Sequence, residues 1–265
     1  MSLVTLTTDF GHGDYACGIL HGVIWSIAPE ARVVDLTHDV PRHNTLAGAL
    51  VLDRALPYFP AGTVHVVVVD PGVGTNRRPL AVKLGDQFFV GPDNGLVSVT
   101  ARRVETMGNP VEYFHLNRPQ FWLKEISSIF HGRDVFAPAA AYLARGIAPD
   151  QMGIRIFDPV QLSLPEPEKT REGFLAHVIH VDHFGNLSTN LTGEMLGEET
   201  RVIILAGTAH IDGVSKTFGD RHPGELVALI DSAGFLSIGV VNGSARQMLG
   251  LGIGDQIKVI FPENR

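Results

Sequence analysis

The chain has 265 residues, of which 45% are hydrophobic and 18% charged, a globular composition rather than a disordered or fibrous one. Its 28 acidic residues outnumber 21 basic ones for a formal charge of −7, so it carries no basic footprint for nucleic acid; one cysteine, Cys17, excludes an internal disulfide and a Cys-rich metal knuckle. The opening MSLVTLTTDFGHGD has no basic leader and meets an acid at Asp9, and no apolar run reaches about 18 residues, so a cytoplasmic protein that spans no membrane is expected.

In chain order, LVTLTT (3–8) is a short apolar strand. GILHGVIWSIAP (18–29) places Ile19, Val23, Ile24 and Ile27 at helical spacing and stops at Pro29. ARVVDLT (31–37) is a second strand, and TLAGALVLDRAL (45–56) a second helix closed by Pro57. TVHVVVVD (63–70) is nearly continuous and β-branched, as in a strand buried on both faces. LAVKLGDQFFVGP (80–92) predicts a hairpin turning at Gly85-Asp86. DVFAPAAAYLARG (134–146) predicts a helix with Asp134 as N-cap and Gly146 as stop. The β-α-β-α-β order argues for an α/β domain over 1–157 with a mostly parallel sheet. A proline- and acid-rich stretch, 158–173, has the composition of a linker. Beyond it, 174–265 holds short β-rich runs separated by turn residues (FLAHVIHVD, RVIILAG, AHIDGV, LVALID, FLSIGVV, QIKVIF), the pattern of a smaller all-β, barrel-like domain.

Ligands of an open parallel sheet bind beyond the carboxyl ends of its strands. Asp9 follows the first strand with Asp14 five residues on, and Asp70 ends the most buried-looking strand and opens DPGVGTNRRP. Carboxylates there can grip ribose hydroxyls, an ammonium group or a water; turn capping is the structural alternative for each. GHGDYA (11–16) with Asp35 about 20 residues on fits a dinucleotide fingerprint, which keeps a nicotinamide-dependent oxidoreductase open, but Asp14 would set a negative charge inside the phosphate nest. No Walker lysine is present. The 12 histidines form no H-E-x-x-H or similar pair on a helix. His12, His21, His38, His43 and His131 are scattered, His180 and His183 merely flank Val181-Asp182, and no metal site is expected. In FHGRDVFAP, His131 stands just before a helix start and can face the cleft of Asp70. In VDHFGNLSTN, Asn186 can read an adenine edge, with Phe184 or Phe235 stacking on the ring; a Phe-Gly-Asn turn is the alternative.

The segments TTDFGHGDYACGILHG, THDVP, VVVVDPGVGTNRRP, VGPDNGL, FHGRDVFAP, VDHFGNLSTN and NGSARQMLGLGIGD, taken together and in order, resemble the S-adenosyl-L-methionine hydroxide adenosyltransferases, the adenosine-forming S-adenosylmethionine hydrolases, relatives of the bacterial fluorinase and chlorinase. The resemblance implies an N-terminal α/β domain, a C-terminal β-barrel-like domain, and a homotrimer whose active sites are shared between subunits. The reaction it implies converts S-adenosyl-L-methionine and water to adenosine and methionine, with no cofactor and no metal. It puts a catalytic set on Asp70, Arg77 and His131, the ribose-binding acid on Asp9, and the residue near the methionine amine on Asp14. Asn186, with Asp182 and Phe184 beside it, falls on the adenine side; Ser232, Phe235, Val240 and Asn242 fall on the C-terminal substrate-contact segment. Where the halogenases carry Ser-Arg for the carboxylate, this chain has Ser232-Ala233. Asp70 also separates hydrolase from halogenase, because a carboxylate repels a halide but accepts a hydrogen bond from water. A non-catalytic adenosine-binding module is the remaining alternative.

Overall fold

The protein was analysed as a computed structural model, which describes residues 2–197 and 201–261. It divides into two compact units, Met1–Ser163 and Leu164–Arg265. No helix among the described residues is long and apolar enough to cross a membrane.

The first unit is built on a seven-stranded sheet. Its strands are β1 (Leu3–Thr8), β2 (Arg32–Thr37), β3 (Val64–Val68), β4 (Pro79–Leu84), β5 (Gln87–Pro92), β6 (Val111–Leu116) and β7 (Gly153–Ile156), in the order β2-β1-β3-β5-β4-β6-β7. β1 lies parallel to β2 and β3, and β3 parallel to β5, whereas the β4–β5, β4–β6 and β6–β7 pairs are antiparallel. The sheet is therefore mixed rather than mostly parallel. The tight Gly85-Asp86 turn reverses the chain, so β4 runs antiparallel to β5 while β5 runs parallel to β3.

Helix α1 (Tyr15–Ile27) and helix α4 (Ala137–Ala144) cover one face, α2 (Thr45–Ala55) and α3 (Ser98–Thr106) the other. The β3 residues alternate between the two layers: Val64, Val66 and Val68 join Leu20, Ile24 and Phe136 in one core. On the other side, a Cβ at Gly48 of α2 would meet Val69 and Leu96. All five β3 residues are buried, as their β-branched run predicts.

α3, β6 and β7 carry no strong sequence pattern and were not expected. The 158–163 segment, expected to lie in a linker, is held to the first unit. Asp158 pairs with Arg78 (2.8 Å), Val160 N donates to Asp93 Oδ1 (2.8 Å) and Leu162 N to Ser98 Oγ (3.0 Å).

The second unit holds the antiparallel strands β8 (Glu168–Lys169), β9 (Gly173–Val181), β10 (Leu187–Thr192), β11 (Ile203–Ala206), β12 (Ala209–Asp212), β13 (Leu226–Ile230), β14 (Phe235–Val240) and β15 (Gln256–Ile260). Their order is β12-β11-β15-β9-β10-β14-β13, with β8 on β9. The ends of the sheet approach each other through a bridge between Ser215, just after β12, and Leu229 of β13, so the sheet is barrel-like. β10, LSTNLT, is too polar to announce itself as a core strand, yet it is buried. Its polar groups find partners inside the unit: Ser188 Oγ donates to Asp231 (2.9 Å), Thr189 Oγ1 to Leu236 O (2.9 Å) and Asn190 Nδ2 to Pro165 O (2.7 Å).

Leu6 on β1 is fully buried between α1 and α4. Leu6→Ala should cost about 2–5 kcal/mol of unfolding free energy, read as a lower urea midpoint, as for other large-to-small core changes.

Candidate active site

β1 and β3 are parallel neighbours that end at Thr8 and Val68, so Asp9 and Asp70 emerge at the same edge of the sheet. The Asp9 carboxylate is aimed by one bond, Oδ2 accepting from His43 N at 2.9 Å. His43 adopts a left-handed conformation (φ 62°), which presents that amide to Asp9. A carboxylate has about four lone-pair sites, so most of the accepting capacity of Asp9 remains for a ligand.

Asp70 opens a loop of two successive turns, with Val73 N donating to Asp70 O (3.2 Å) and Thr75 N to Gly72 O (3.1 Å). Gly74 sits at φ 77° against Ser128 O, where a Cβ would collide, so a glycine is required for the loop to reach the 127–131 segment. The loop delivers Arg77 back onto Asp70. Nε donates to Oδ1 and Oδ2 (3.0 Å each) and Nη2 to Oδ2 (2.6 Å). Nη2 is also 2.7 Å from His131 Nδ1. An arginine can only donate, so Nδ1 is the acceptor and the proton of the neutral imidazole sits on Nε2. The guanidinium lies 5.1 Å from the centre of the Phe136 ring, and its Nη1 is buried without a partner. Burial first, and the Arg77 charge second, push the His131 pKa below 6.5 against the opposing pull of Asp70 and Asp134.

His131 stands just before a helical segment and faces the Asp70 cavity, but Asp134 is placed differently from the sequence expectation. The helix does not start at Asp134; a π-helical turn, Gly132–Phe136, precedes α4 and contains it. Asp134 is fully buried and accepts from Ser127 N (2.7 Å) and from the Arg133 guanidinium (2.6 Å). It anchors the loop before His131 rather than capping a helix.

Asp9, Arg42, His43, Asp70 and His131 line one cavity of about 260 Å³, walled by Phe10, Val68, Val73, Ile129, Phe130 and Gly132. Arg77 is absent from the lining and grips two lining groups from behind, with 8% of its side chain exposed. Asp14 is the N-cap of α1, accepting from Ala16 N (2.8 Å), and lines an adjoining hollow with Tyr15, Phe10 and Phe130.

In the second unit, Phe184, Asn186, Val240 and Asn242 line a further cavity together with Phe218, Val241 and Gly243. Asp182 takes both donors of Asn186, N to Oδ1 (2.8 Å) and Nδ2 to Oδ2 (2.7 Å), so it fixes the amide with Oδ1 as the spare acceptor. Ser232 and Phe235 are not brought to this cavity. They belong to the turn between β13 and β14, and Phe235 begins the strand that Val240 ends, about 16 Å away at ~3.3 Å per residue.

Residues 4–153 match the family model of the SAM hydroxide adenosyltransferase N-terminal domain and residues 176–258 that of its C-terminal domain. The chain belongs to the SAM hydroxide adenosyltransferase family. A Salinispora arenicola relative, named (R)-S-adenosyl-L-methionine hydrolase, is 41% identical over 97% of both chains. A Thermus thermophilus relative of the same name is 38% identical over 98% of this chain and 100% of its own. A crystal structure of an uncharacterized conserved protein from Thermotoga maritima superposes with a TM-score of 0.88 at 37% identity, covering 97% of this chain and 99% of that one.

In this SAM hydroxide adenosyltransferase chain the dinucleotide fingerprint is structurally occupied. Gly11 N donates to His38 O (2.8 Å), Asp14 caps α1, and Asp35 Oδ1 lies 2.7 Å from His21 Nε2, so the loop's first amide, its acid and the acid about 20 residues on each have a partner within the fold. Sequence reasoning missed Phe218, Gly239, Arg42 and His43. Phe218 stands in a turn-rich KTFGD segment whose aromatic before glycine was the available signal. A Cβ at Gly239 would lie 2.6 Å from both Asn186 Oδ1 and the Phe218 ring, a constraint no spacing in the chain reveals.

The lowered His131 pKa has a definite sign. The unfolded chain takes up the proton first as pH falls, so the contribution to stability is complete above pH 6.5 and is lost as pH drops toward the folded midpoint. His131 should titrate below 6.5 by NMR, and His131→Gln should remove part of the acid-side loss of stability; a midpoint at or above 6.5 contradicts the Arg77–His131 geometry.

Proposed function

We propose that the protein is a cytoplasmic homotrimeric hydrolase that converts S-adenosyl-L-methionine and water to adenosine, L-methionine and a proton. The observation that carries the reading is the Asp70–Arg77–His131 network, which opens onto the same cavity as the ribose-class acid Asp9. Relatives carrying the hydrolase name at 38–41% identity over nearly full length support the same reaction.

The substrate's sulfonium leaves as a neutral thioether, so its departure requires neither a general acid nor a metal. What the site must supply is a nucleophile in line with the C5′–S bond, and positioning alone contributes up to about 7–11 kcal/mol in the best intramolecular cases. Asp70 accepts a hydrogen bond from the water, and His131, held as its Nε2–H tautomer, donates to the same oxygen. Arg77 acts as a positioning residue that sets both groups and adds positive charge near the developing hydroxide. The oxygen–C5′ bond forms as the C5′–S bond breaks with its pair going to sulfur, and the water proton leaves through Asp70 to solvent. Asp9 holds the ribose diol by paired acceptor bonds, and Asp14 meets the methionine amine. Asn186 Oδ1, fixed by Asp182, accepts from the adenine amino group, with Phe184 and Phe218 against the ring. Val240 and Asn242 complete that cavity, while Ser232 and Phe235, at the other end of the hairpin, stand outside it. The negative charge of Asp70 disfavours a halide as nucleophile.

Turnover in ¹⁸O-labelled water should place the label on the adenosine 5′-oxygen. Asp70→Asn should lower kcat by about 10²–10⁴, the span of a positioned acid/base group, with a far smaller change in substrate affinity. Unlabelled adenosine, or wild-type turnover in Asp70→Asn, would remove the water-positioning role. Tight adenosine binding by the wild type with no turnover of S-adenosyl-L-methionine would instead favour the binding module.

Homotrimer assembly is part of the same reading and rests on the family resemblance, with Asp9, Asp14 and Asp70 in one unit and Asp182 and Asn186 in the other. Sedimentation at micromolar concentration should give a single species at three times the monomer mass of 28.7 kDa; a fully active monomer refutes it.

A further inference from the structure

At the carboxyl end of β2, outside the catalytic cavity, α1 and the β2 edge strand bring three donors together that lie apart in sequence. His21 Nε2 is 2.7 Å from Asp35 Oδ1, and His38 Nε2 is 3.1 Å from the same oxygen. The ligand atoms of His21, Asp35 and His38 all lie within 4.8 Å of one another. His38 is 1% exposed, and its Nε2 faces Asp35. Its other nitrogen is held: Nδ1 is 2.9 Å from Thr8 Oγ1, which also accepts from Phe10 N (3.2 Å).

We propose that His21, Asp35 and His38 form a binding site for one divalent metal ion of the zinc class. Two imidazoles and a carboxylate are the donor set of borderline divalent ions, with water completing the coordination. Bonds of about 2.0–2.1 Å in a tetrahedral site set ligand atoms roughly 3.3 Å apart, so the two contacts on Asp35 Oδ1 need to open by only about 0.2–0.6 Å to admit an ion. The supporting shell is already built. The Thr8 hydroxyl fixes the His38 ring so that Nε2 points at Asp35, as metal-binding histidines require of their second nitrogen. Access is provided by Asp35, whose side chain is 39% exposed, and by His21 at 18%. No local His/acid spacing announces this cluster, against the expectation of no metal site; the 14-residue step from His21 to Asp35 is closed by the packing of α1 over β2.

The ion would tie α1 to the two segments that flank the catalytic cavity. Thr8 immediately precedes Asp9, and His38, whose carbonyl accepts from Gly11 N (2.8 Å), leads into the Arg42–His43 turn. Its effect is thus to brace the ribose-side wall rather than to enter the reaction. This inference is independent of the hydrolase reading, since ion binding is read without substrate.

The test uses the full-length chain stripped with chelator. Zn²⁺ titration by calorimetry should show one ion per chain, Co²⁺ should give visible d–d bands of a low-coordinate site, and Zn²⁺ should raise Tm. His21→Gln keeps an N–H donor to Asp35 but removes the imidazole ligand. It should leave the metal-free Tm nearly unchanged while weakening Zn²⁺ at least ~100-fold, beyond the ~10–100-fold attached to an outer-shell partner. Asp35→Asn should weaken it comparably. His12, whose ring lies edge-on to His38 at 5.4 Å and whose Nε2 faces Asp39, is the control, and His12→Ala should leave affinity intact. No uptake of either ion by the wild type, or uptake that survives His21→Gln, overturns the proposal.

Discussion

The guanidinium of Arg77 is the contact on which the catalytic half of the protein turns. It binds Asp70, seven residues away in sequence, with three hydrogen bonds, and His131, 54 residues away, with a fourth. Two segments that share no regular structure are thereby fixed on either side of one cavity. A buried arginine that engages both a carboxylate and an imidazole also dictates protonation: it demands a lone pair on His131 Nδ1 and so leaves the Nε2 proton facing outward. The ion pair is retained at a cost, since Nη1 is buried without a partner and buried pairs carry a desolvation penalty. Such an expense at a strand end is understandable where the geometry itself is the product.

Everything else in the first unit serves to bring that contact to the edge of the sheet. The parallel pairing of β1 with β3 puts Asp9 and Asp70 side by side. Gly74 lets the Asp70 loop touch Ser128, and buried Asp134 ties Ser127 to the π-helical turn that carries His131. The π-helical turn is informative in this respect, because wide helical turns interrupt regular packing and recur where a side chain must be re-aimed. The second unit follows a similar economy on a smaller scale, with Asp182 spending its carboxylate on holding Asn186 so that one amide oxygen is left presented.

Histidine placement explains why the carboxyl edge of this sheet carries two separate polar centres. Around His131 the neighbours are a carboxylate and a guanidinium, which hold the ring neutral and oriented. Around His38 they are a hydroxyl and a carboxylate, and a second imidazole, that of His21, meets the same carboxylate. The first environment suits directing a water molecule; the second suits taking up a cation. The same residue type at neighbouring strand ends thus acquires different chemistry from its partners alone.

Much of this was legible in the chain. The apolar runs 3–8 and 63–70, the helical spacing of 18–29 and the Gly85-Asp86 turn each encode their element through local periodicity and turn chemistry, and the structure contains all four. Asp9 and Asp70 could be read as strand-end acids for the same reason, and the ordered motifs around them carried the family resemblance. The antiparallel half of the sheet, the polar but buried strand β10, the π turn and the convergence of His21, Asp35 and His38 could not be read in this way. Each depends on partners that local periodicity does not reveal: buried Ser188 donates to Asp231, 43 residues on, and Asp134 accepts from Ser127 N instead of capping a helix. The sequence by itself determined the apolar strands 3–8 and 63–70, the helix over 18–29, the Gly85-Asp86 hairpin and the acids at the ends of the first and third strands, because those are set by neighbours along the chain. Only the tertiary structure decided that Arg77 would join Asp70 to His131 and that Phe218 rather than Phe235 would stand beside Asn186, because hydrogen bonds and packing across tens of residues are fixed by the fold and not by spacing.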